Sequence, residues 1–242
     1  MKKTAILALF ALTTLSCTQD STSDANVTLK ASALVTNTNV TAKTTASEPV
    51  VVLTDFKVNI GSIKFETDEE DIRHSEDPSH EDVRLNGPFL LDLLDTNTSL
   101  SQVITSLNVP EAQYEEVKFK FTPSLVTGEM LGKSFLIKGT VNGKQFIISS
   151  SRESQVEVDF EDDNQDFTVS TTDLTINLKM SLNGIITRIK NLAAQNLLID
   201  TDNDGIIEIT TNSDDNHHDI GEEMRDLLEH ETHLEHESHR ED

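Results

Sequence analysis

Residues 115–121 read Glu-Glu-Val-Lys-Phe-Lys-Phe, in which charged and apolar side chains alternate one by one from Glu116 onward. Alternation with a period of two is typical of a strand that buries one face and exposes the other to solvent. The apolar members are Val117, Phe119 and Phe121, and the side chains between them are lysines. We therefore predict a half-buried strand at this position, in a sheet that covers a hydrophobic core.

The same alternation recurs along the chain at intervals of about ten residues, which favours an antiparallel sandwich or barrel. It is clearest in residues 27–35, 56–65, 89–93, 156–160 and 174–182. Residues 135–148 read as a hairpin, because Asn142-Gly143 supplies the positive φ angles that a tight turn needs. We predict a mainly β chain that forms an antiparallel β-sandwich.

Three details refine this prediction. The apolar pattern changes parity at Gly61, so we expect a β-bulge there that returns both halves of the strand to one face. Apolar spacing over residues 100–107 and 185–193 indicates short helices. Residues 219–241 also have a helical pattern with few apolar positions, which predicts a charged C-terminal helical tail.

Charge excludes some classes of protein. The chain has 242 residues and a formal net charge of -24, so it would repel the phosphates of nucleic acid and we expect no nucleic-acid partner. Cys17 is its one cysteine, which rules out a disulfide within the chain and any metal site built from several cysteines.

The N-terminus carries a signal. Lys2-Lys3 precedes a short apolar run, and the run ends at Ser16-Cys17. This order resembles a bacterial lipoprotein signal, which implies cleavage before Cys17 and acylation of that cysteine. Several acyl chains give stable membrane anchoring. We expect a lipid-anchored protein of the bacterial cell envelope, at the outer membrane; an ordinary secretory signal is the alternative.

The chain then divides into four parts. Residues 1–16 are the predicted signal peptide and residues 17–26 a polar tether. Residues 27–215 form the predicted β-sandwich domain. Residues 216–242 form an acidic, histidine-rich tail that we expect to be separable from the domain, because residues 229–242 offer Leu234 as their one apolar side chain.

A wider resemblance rests on the order of several short motifs. They are Phe56-Lys57-Val58-Asn59-Ile60, Leu90-Leu91-Asp92-Leu93-Leu94, Val109-Pro110 leading to Tyr114, Ile137-Lys138-Gly139-Thr140, and Gly205-Ile206-Ile207-Glu208-Ile209. In this order the chain, over roughly residues 27–228, resembles uncharacterised bacterial envelope lipoproteins that carry the domain of unknown function 4382. The glycine usual near position 112 in that family is an alanine here. The resemblance implies a β-sandwich and no known activity.

Residues 200–205, Asp-Thr-Asp-Asn-Asp-Gly, form the sharpest local motif. Ca²⁺ takes six to eight oxygen ligands, and carboxylates at alternate positions of a tight loop converge on one point. We predict a Ca²⁺ site whose ligands are Asp200, Asp202, Asp204, the carbonyl of Ile206 and Glu208. Position 12 of the loop is Thr211, so the motif is not an EF-hand. An acidic turn without a cation is the alternative.

The tail carries His230, His233, His236 and His239. Imidazole is a ligand for Zn²⁺, Ni²⁺ and Cu²⁺, so these four histidines are a candidate transition-metal site. On a helix, steps of three residues spread these side chains around the axis, and only neighbouring pairs could chelate one ion. A solvated, charge-rich tail is the alternative interpretation.

These observations predict a non-enzymatic envelope lipoprotein, a binding or structural module with a Ca²⁺-stabilised loop. Its partners would be the membrane, through the lipid anchor, and an envelope protein or glycan. The alternative is a metal-buffering lipoprotein that uses the histidine-rich tail for Zn, Ni or Cu. A surface hydrolase is a third hypothesis, although residues 149–151 lack the Gly-x-Ser-x-Gly elbow of many serine hydrolases.

Overall fold

A computed structural model describes residues 24–35, 48–67, 82–94, 101–110, 112–159, 167–169, 174–211 and 217–238. Within these ranges the chain is mainly β, with twelve strands and two helices, which confirms the predicted fold class. The strands are β1 Asp24–Leu34, β2 Val51–Thr67, β3 Val83–Asp92, β4 Ser101–Pro110, β5 Ala112–Phe121, β6 Phe135–Val141, β7 Lys144–Ser150, β8 Ser154–Asp159, β9 Phe167–Val169, β10 Leu174–Ser181, β11 Ile206–Thr210 and β12 Thr232–Ser238. The helices are α1 Asn183–Ala194 and α2 His217–His230.

The smaller sheet has four strands in the order β12, β10, β1, β4. β1 lies at its centre, antiparallel to β4 and parallel to β10. β12 forms one edge and pairs antiparallel with β10. The parallel pair joins strands that are far apart in the sequence, so this sheet is complete only when β10 and β12 have joined β1 and β4.

The larger sheet is built around the long strand β2. β3 pairs with one edge of β2, while β6 and β5 pair with successive halves of the other edge and so lie end to end. β7 pairs with β6, β8 and β9 pair with β5, and β11 adds to β7 in parallel. Apart from this pair, the ladders of the larger sheet are antiparallel among the described strands.

The junction between β5 and β6 lies beside the predicted bulge. The ladders of β2 with β3 and β5 shift register between Ile60 and Ser62, which confirms a bulge at Gly61. Asn59 is buried there and donates its side-chain amide to the Thr122 carbonyl at 2.8 Å. Gly61 is required because a Cβ atom would lie 2.2 Å from Oγ1 of Thr122.

One hydrophobic core joins both sheets and both helices. Its largest fully buried side chains are aromatic, and they come from the larger sheet: Tyr114, Phe56, Phe65, Phe119, Phe135 and Phe146. Apolar side chains of β1 and β10 meet them from the smaller sheet, and Ile185, Ile189 and Leu192 of α1 close one side. The hairpin turn has positive φ at Asn142 and Gly143, as predicted.

The structure differs from the sequence predictions in the type of one element and in the start of another. Residues 100–107 were expected to form a helix, but residues 101–110 are strand β4, which pairs with β1. The predicted tether ran to residue 26, but β1 begins at Asp24, and Ala25 is already buried. Main-chain pairing with β4 therefore extends the sheet into the segment that looked like a linker.

The C-terminal segment also differs. The helix ends at His230, and residues 232–238 form the strand β12 instead of continuing the helix. Met224 and Leu228 of α2 belong to the core, and Leu234 packs against it. The predicted helix is therefore present over residues 217–230, whereas the predicted helix beyond it and the expected separation from the domain are wrong for the described residues. The sequence offers few apolar side chains here, but the edge of β10 supplies main-chain hydrogen bonds that hold the segment.

Candidate metal site

The aspartate motif lies in the connection between α1 and β11. Residues 200–205 turn the chain tightly, with positive φ at Asn203 and Gly205. β11 begins directly afterwards at Ile206, and its Ile207 and Ile209 are buried in the core. The position of the loop is thus fixed on one side by a core strand.

The three predicted carboxylates converge. One carboxylate oxygen from each of Asp200, Asp202 and Asp204 lies within 4.8 Å of the other two. Local hydrogen bonds fix the shape of the loop: Gly205 N donates to Asp200 Oδ2 at 2.9 Å, and Ile206 N donates to Asp204 Oδ1 at 2.8 Å. Among the described residues, these three aspartates are the one group of three or more acidic, histidine or cysteine side chains close enough to share an ion.

Asp200 is the most enclosed of the three. Partial burial acts to raise the pKa of its carboxyl, but backbone N–H groups of Gly205 and Asn203 donate to it and hold that pKa below its usual value. Its other oxygen, Oδ1, is covered from solvent and accepts no hydrogen bond within the described part of the chain. The carboxylate is therefore charged at neutral pH and has an oxygen left for a ligand.

Of the other two predicted ligands, Glu208 lies outside this group, while Ile206 directly follows the loop. Glu208 lies in β11, is exposed, and is not a member of the cluster of carboxylates that could share an ion. The backbone N–H of Ile206 bonds to Asp204, which ties the start of β11 to the loop. The structure thus brings together three of the five predicted ligands, all of them carboxylates. Carbonyl or water oxygens would have to supply the rest of the Ca²⁺ coordination.

Of the four predicted histidine ligands, the structure describes the side chains of His230 and His233, so the histidine site stays a prediction. His230 ends α2 and is exposed, and His233 lies in β12 opposite Lys179. The backbone of His236 pairs with Ile176 in the same strand. His239 lies outside the described residues. Neither His230 nor His233, whose side chains are described, belongs to a group of three or more side chains close enough to share an ion.

The predicted lipidation site, Cys17, also lies outside the described residues, as do the predicted signal peptide and most of the tether. In the described ranges, neither helix is long and apolar enough to cross a bilayer.

The solvent-facing side of the larger sheet carries a network of ion pairs that the sequence did not predict. Lys118 lies 2.8 Å from both Glu66 and Glu116. Burial acts to raise the pKa of Glu66, but Lys118 and Lys64 lower it to about 2. At Glu116 Lys118 acts in the same direction, but burial and the neighbouring Glu157 carboxylate outweigh it and raise the pKa. Lysine and glutamate at alternate positions of residues 116–120 were the available signal.

A second missed residue is Glu231, between α2 and β12. Its carboxylate accepts hydrogen bonds from Ser181 Oγ at 2.9 Å and from Gly184 N at 3.0 Å. It therefore caps the N-terminus of α1 from another part of the chain, where Leu182 provides no side-chain cap. A local capping pattern could not reveal this contact, because the two residues are 47 positions apart.

Comparisons of the chain with protein-family models, with curated proteins and with solved structures give no match. The resemblance to the lipoproteins with the domain of unknown function 4382 therefore stays a prediction.

Proposed function

We propose that this protein is a non-enzymatic, lipid-anchored protein of the bacterial envelope, a binding or structural module whose aspartate loop is stabilised by Ca²⁺. The observation that carries the calcium part is the convergence of the Asp200, Asp202 and Asp204 carboxylates. The anchor is argued from the sequence, in which the one cysteine ends a short apolar signal. The membrane and an envelope protein or glycan are its proposed partners.

Ca²⁺ suits the loop for two reasons. The side chains that converge supply oxygen alone, and calcium accepts an irregular set of carboxylate, carbonyl and water oxygens. In addition, three like charges held this close repel one another, so a divalent cation would relieve a repulsion that the fold imposes. Millimolar calcium outside the cytoplasm makes even a weak site useful.

Calcium would act on stability through β11. The loop leads directly into this strand, whose ladder with β7 runs from Ile206 to Thr210. A ligand that binds the folded chain alone stabilises it, by about 1.4 kcal/mol at roughly tenfold excess over Kd. A role in holding the fold together needs no catalytic group.

Replacing Asp202 by alanine is expected to abolish the rise in melting temperature that Ca²⁺ gives the wild-type protein. The variant loses one of three ligand carboxylates while Asp200, which bonds the Gly205 backbone, stays in place. The measurement is thermal unfolding of metal-depleted full-length protein, titrated with Ca²⁺ and separately with Mg²⁺.

Asp219→Ala is the matched control, since it removes the same charge from an exposed position in the first turn of α2. It should keep the wild-type calcium response. A wild-type protein that shows no calcium response, or an Asp202 variant with an undiminished one, would refute the site.

Replacing Cys17 by serine is expected to release the protein from membranes or to leave its signal uncleaved. Serine lacks the thiol that an acyl chain requires. The measurement is membrane fractionation of cells that produce either form, with the mass of the mature N-terminus. Normal processing and membrane association of the variant would contradict lipid anchoring through this residue.

A further inference from the structure

The chain contains three Asn-Gly dipeptides, and the structure describes all of them: Asn86-Gly87, Asn142-Gly143 and Asn183-Gly184. Asparagine before glycine is prone to spontaneous deamidation, because glycine has no side chain to hinder attack by its own backbone nitrogen. That nitrogen attacks Cγ of the asparagine, the new N–Cγ bond closes a succinimide ring, and ammonia leaves with the displaced proton. Water then opens the ring at either carbonyl, which leaves aspartate or isoaspartate.

This attack needs a particular backbone geometry, so the fold decides which site reacts. The nitrogen of the glycine has to swing towards the side chain of the asparagine, which the backbone angles of strands, helices and the left-handed conformation do not allow. Each Asn-Gly unit must therefore open locally before it reacts. The site that opens at the lowest free energy deamidates first.

Asn86-Gly87 lies inside a ladder. Asn86 is opposite Ser62 in the pairing of β3 with β2, and this pairing continues on both sides of the dipeptide. The two strands also approach closely here, since a Cβ atom on Gly87 would lie 2.3 Å from the Ile60 carbonyl oxygen. Freeing Asn86 therefore requires the ladder between β2 and β3 to open.

Asn183-Gly184 lies at the start of α1, where a distant carboxylate holds the backbone. Gly184 N donates to Glu231 Oε2 at 3.0 Å. Leu182 and Ile185, on either side of the dipeptide, are buried in the core. The nitrogen that would attack is thus already engaged, and moving it would displace two core side chains.

Asn142-Gly143 is the exposed turn between β6 and β7, and it is held by two hydrogen bonds, here called the Val50 clamp. Asn142 N donates to the Val50 carbonyl, and Val50 N donates to Asn142 Oδ1, both at 2.9 Å. No described atom lies within 4 Å of the position that a Cβ atom on Gly143 would take. Val50 is exposed and lies just before β2, so the turn is released once the clamp and the end of one ladder open.

We propose that Asn142-Gly143 is the site at which the folded chain deamidates, and that the Val50 clamp controls its rate. Isoaspartate adds one carbon to the main chain, which the two-residue turn between Val141 and Lys144 cannot accommodate. The modified chain therefore loses the clamp that joins the β6–β7 hairpin to the start of β2. This inference is independent of calcium binding and of lipid anchoring.

Mass spectrometry of peptides from aged full-length protein tests the proposal. In native buffer Asn142 should deamidate about tenfold faster than Asn86 or Asn183, whereas in guanidinium the three residues should react at similar rates. The native sample is incubated about ten times as long as the unfolded chain needs for conversion. Equal rates at the three sites of the native protein, or an Asn142 that stays intact for this period, would overturn the proposal.

Two variants at position 50 test the clamp. Val50→Pro removes the N–H that holds Asn142 Oδ1, so it should raise the native rate at Asn142 about tenfold. The rates at Asn86 and Asn183 should stay unchanged. Val50→Ala is the matched control, since it trims an exposed side chain and keeps the N–H. Equal rates at Asn142 in the two variants would show that the clamp does not control this site.

Discussion

Replacing Met224 by alanine is expected to lower the free energy of unfolding by about 2–5 kcal/mol, the usual cost of truncating a fully buried methionine or leucine. Met224 has no exposed surface and joins the core shared by both sheets. If α2 were a solvated tail, as its polar composition suggests, the same substitution would cost almost nothing. Guanidinium unfolding followed by circular dichroism measures the difference.

His230→Ala provides the control on the same helix. His230 is exposed at the last position of α2, so its loss should change stability by no more than about 0.5 kcal/mol. Similar small effects for both variants would mean that α2 does not pack as the structure describes it.

Local alternation predicted much of the larger sheet. Residues 115–121 fall within β5, and the Asn142-Gly143 turn joins β6 to β7. The parity change at Gly61 located a real bulge, and the spacing of Ile185, Ile189 and Leu192 located α1. In each case the pattern reflects one buried face, which is a property of the segment itself.

Segments whose structure depends on distant partners were predicted poorly. Val103 and Leu107 suggested a helical face, yet Val103 is exposed and the segment is held by pairing with β1, some eighty residues earlier. β12 is a strand because β10 presents an unpaired edge to it. Edge strands gain their stability from main-chain ladders, which no pattern of side chains records.

The candidate site likewise has a part that the local sequence predicts and a part that depends on distant segments. The loop of Asp200, Asp202 and Asp204 was predictable because its geometry is local and its glycine has the positive φ that the motif requires. Glu208 was placed with it on spacing alone, but position 208 belongs to a strand whose direction is set by β7. The histidine spacing was interpreted on a helix, but the helix ends at His230, and the histidine site stays a prediction.

Replacing Phe65 by alanine is expected to lower the free energy of unfolding by about 3–5 kcal/mol. Phe65 is fully buried in β2, between Val83 of β3 and Val117 of β5. Its ring meets that of Tyr114 edge to face, with the centroids 5.6 Å apart. Because ladders fix β2 on both edges, the strands cannot close in on the space left by the ring, and the cost should lie toward the upper end of that range.

Tyr114 makes this prediction measurable by a second signal. It is the chain's one tyrosine, and the chain has no tryptophan, so its fluorescence reports on this contact. Leu125→Ala is the matched control, since Leu125 is 90% exposed and its loss should cost no more than about 0.5 kcal/mol. We expect the alanine at position 65 to shift both the circular dichroism and the fluorescence midpoints together. A loss of stability no larger than that of the Leu125 variant would show that this aromatic pair does not anchor the larger sheet.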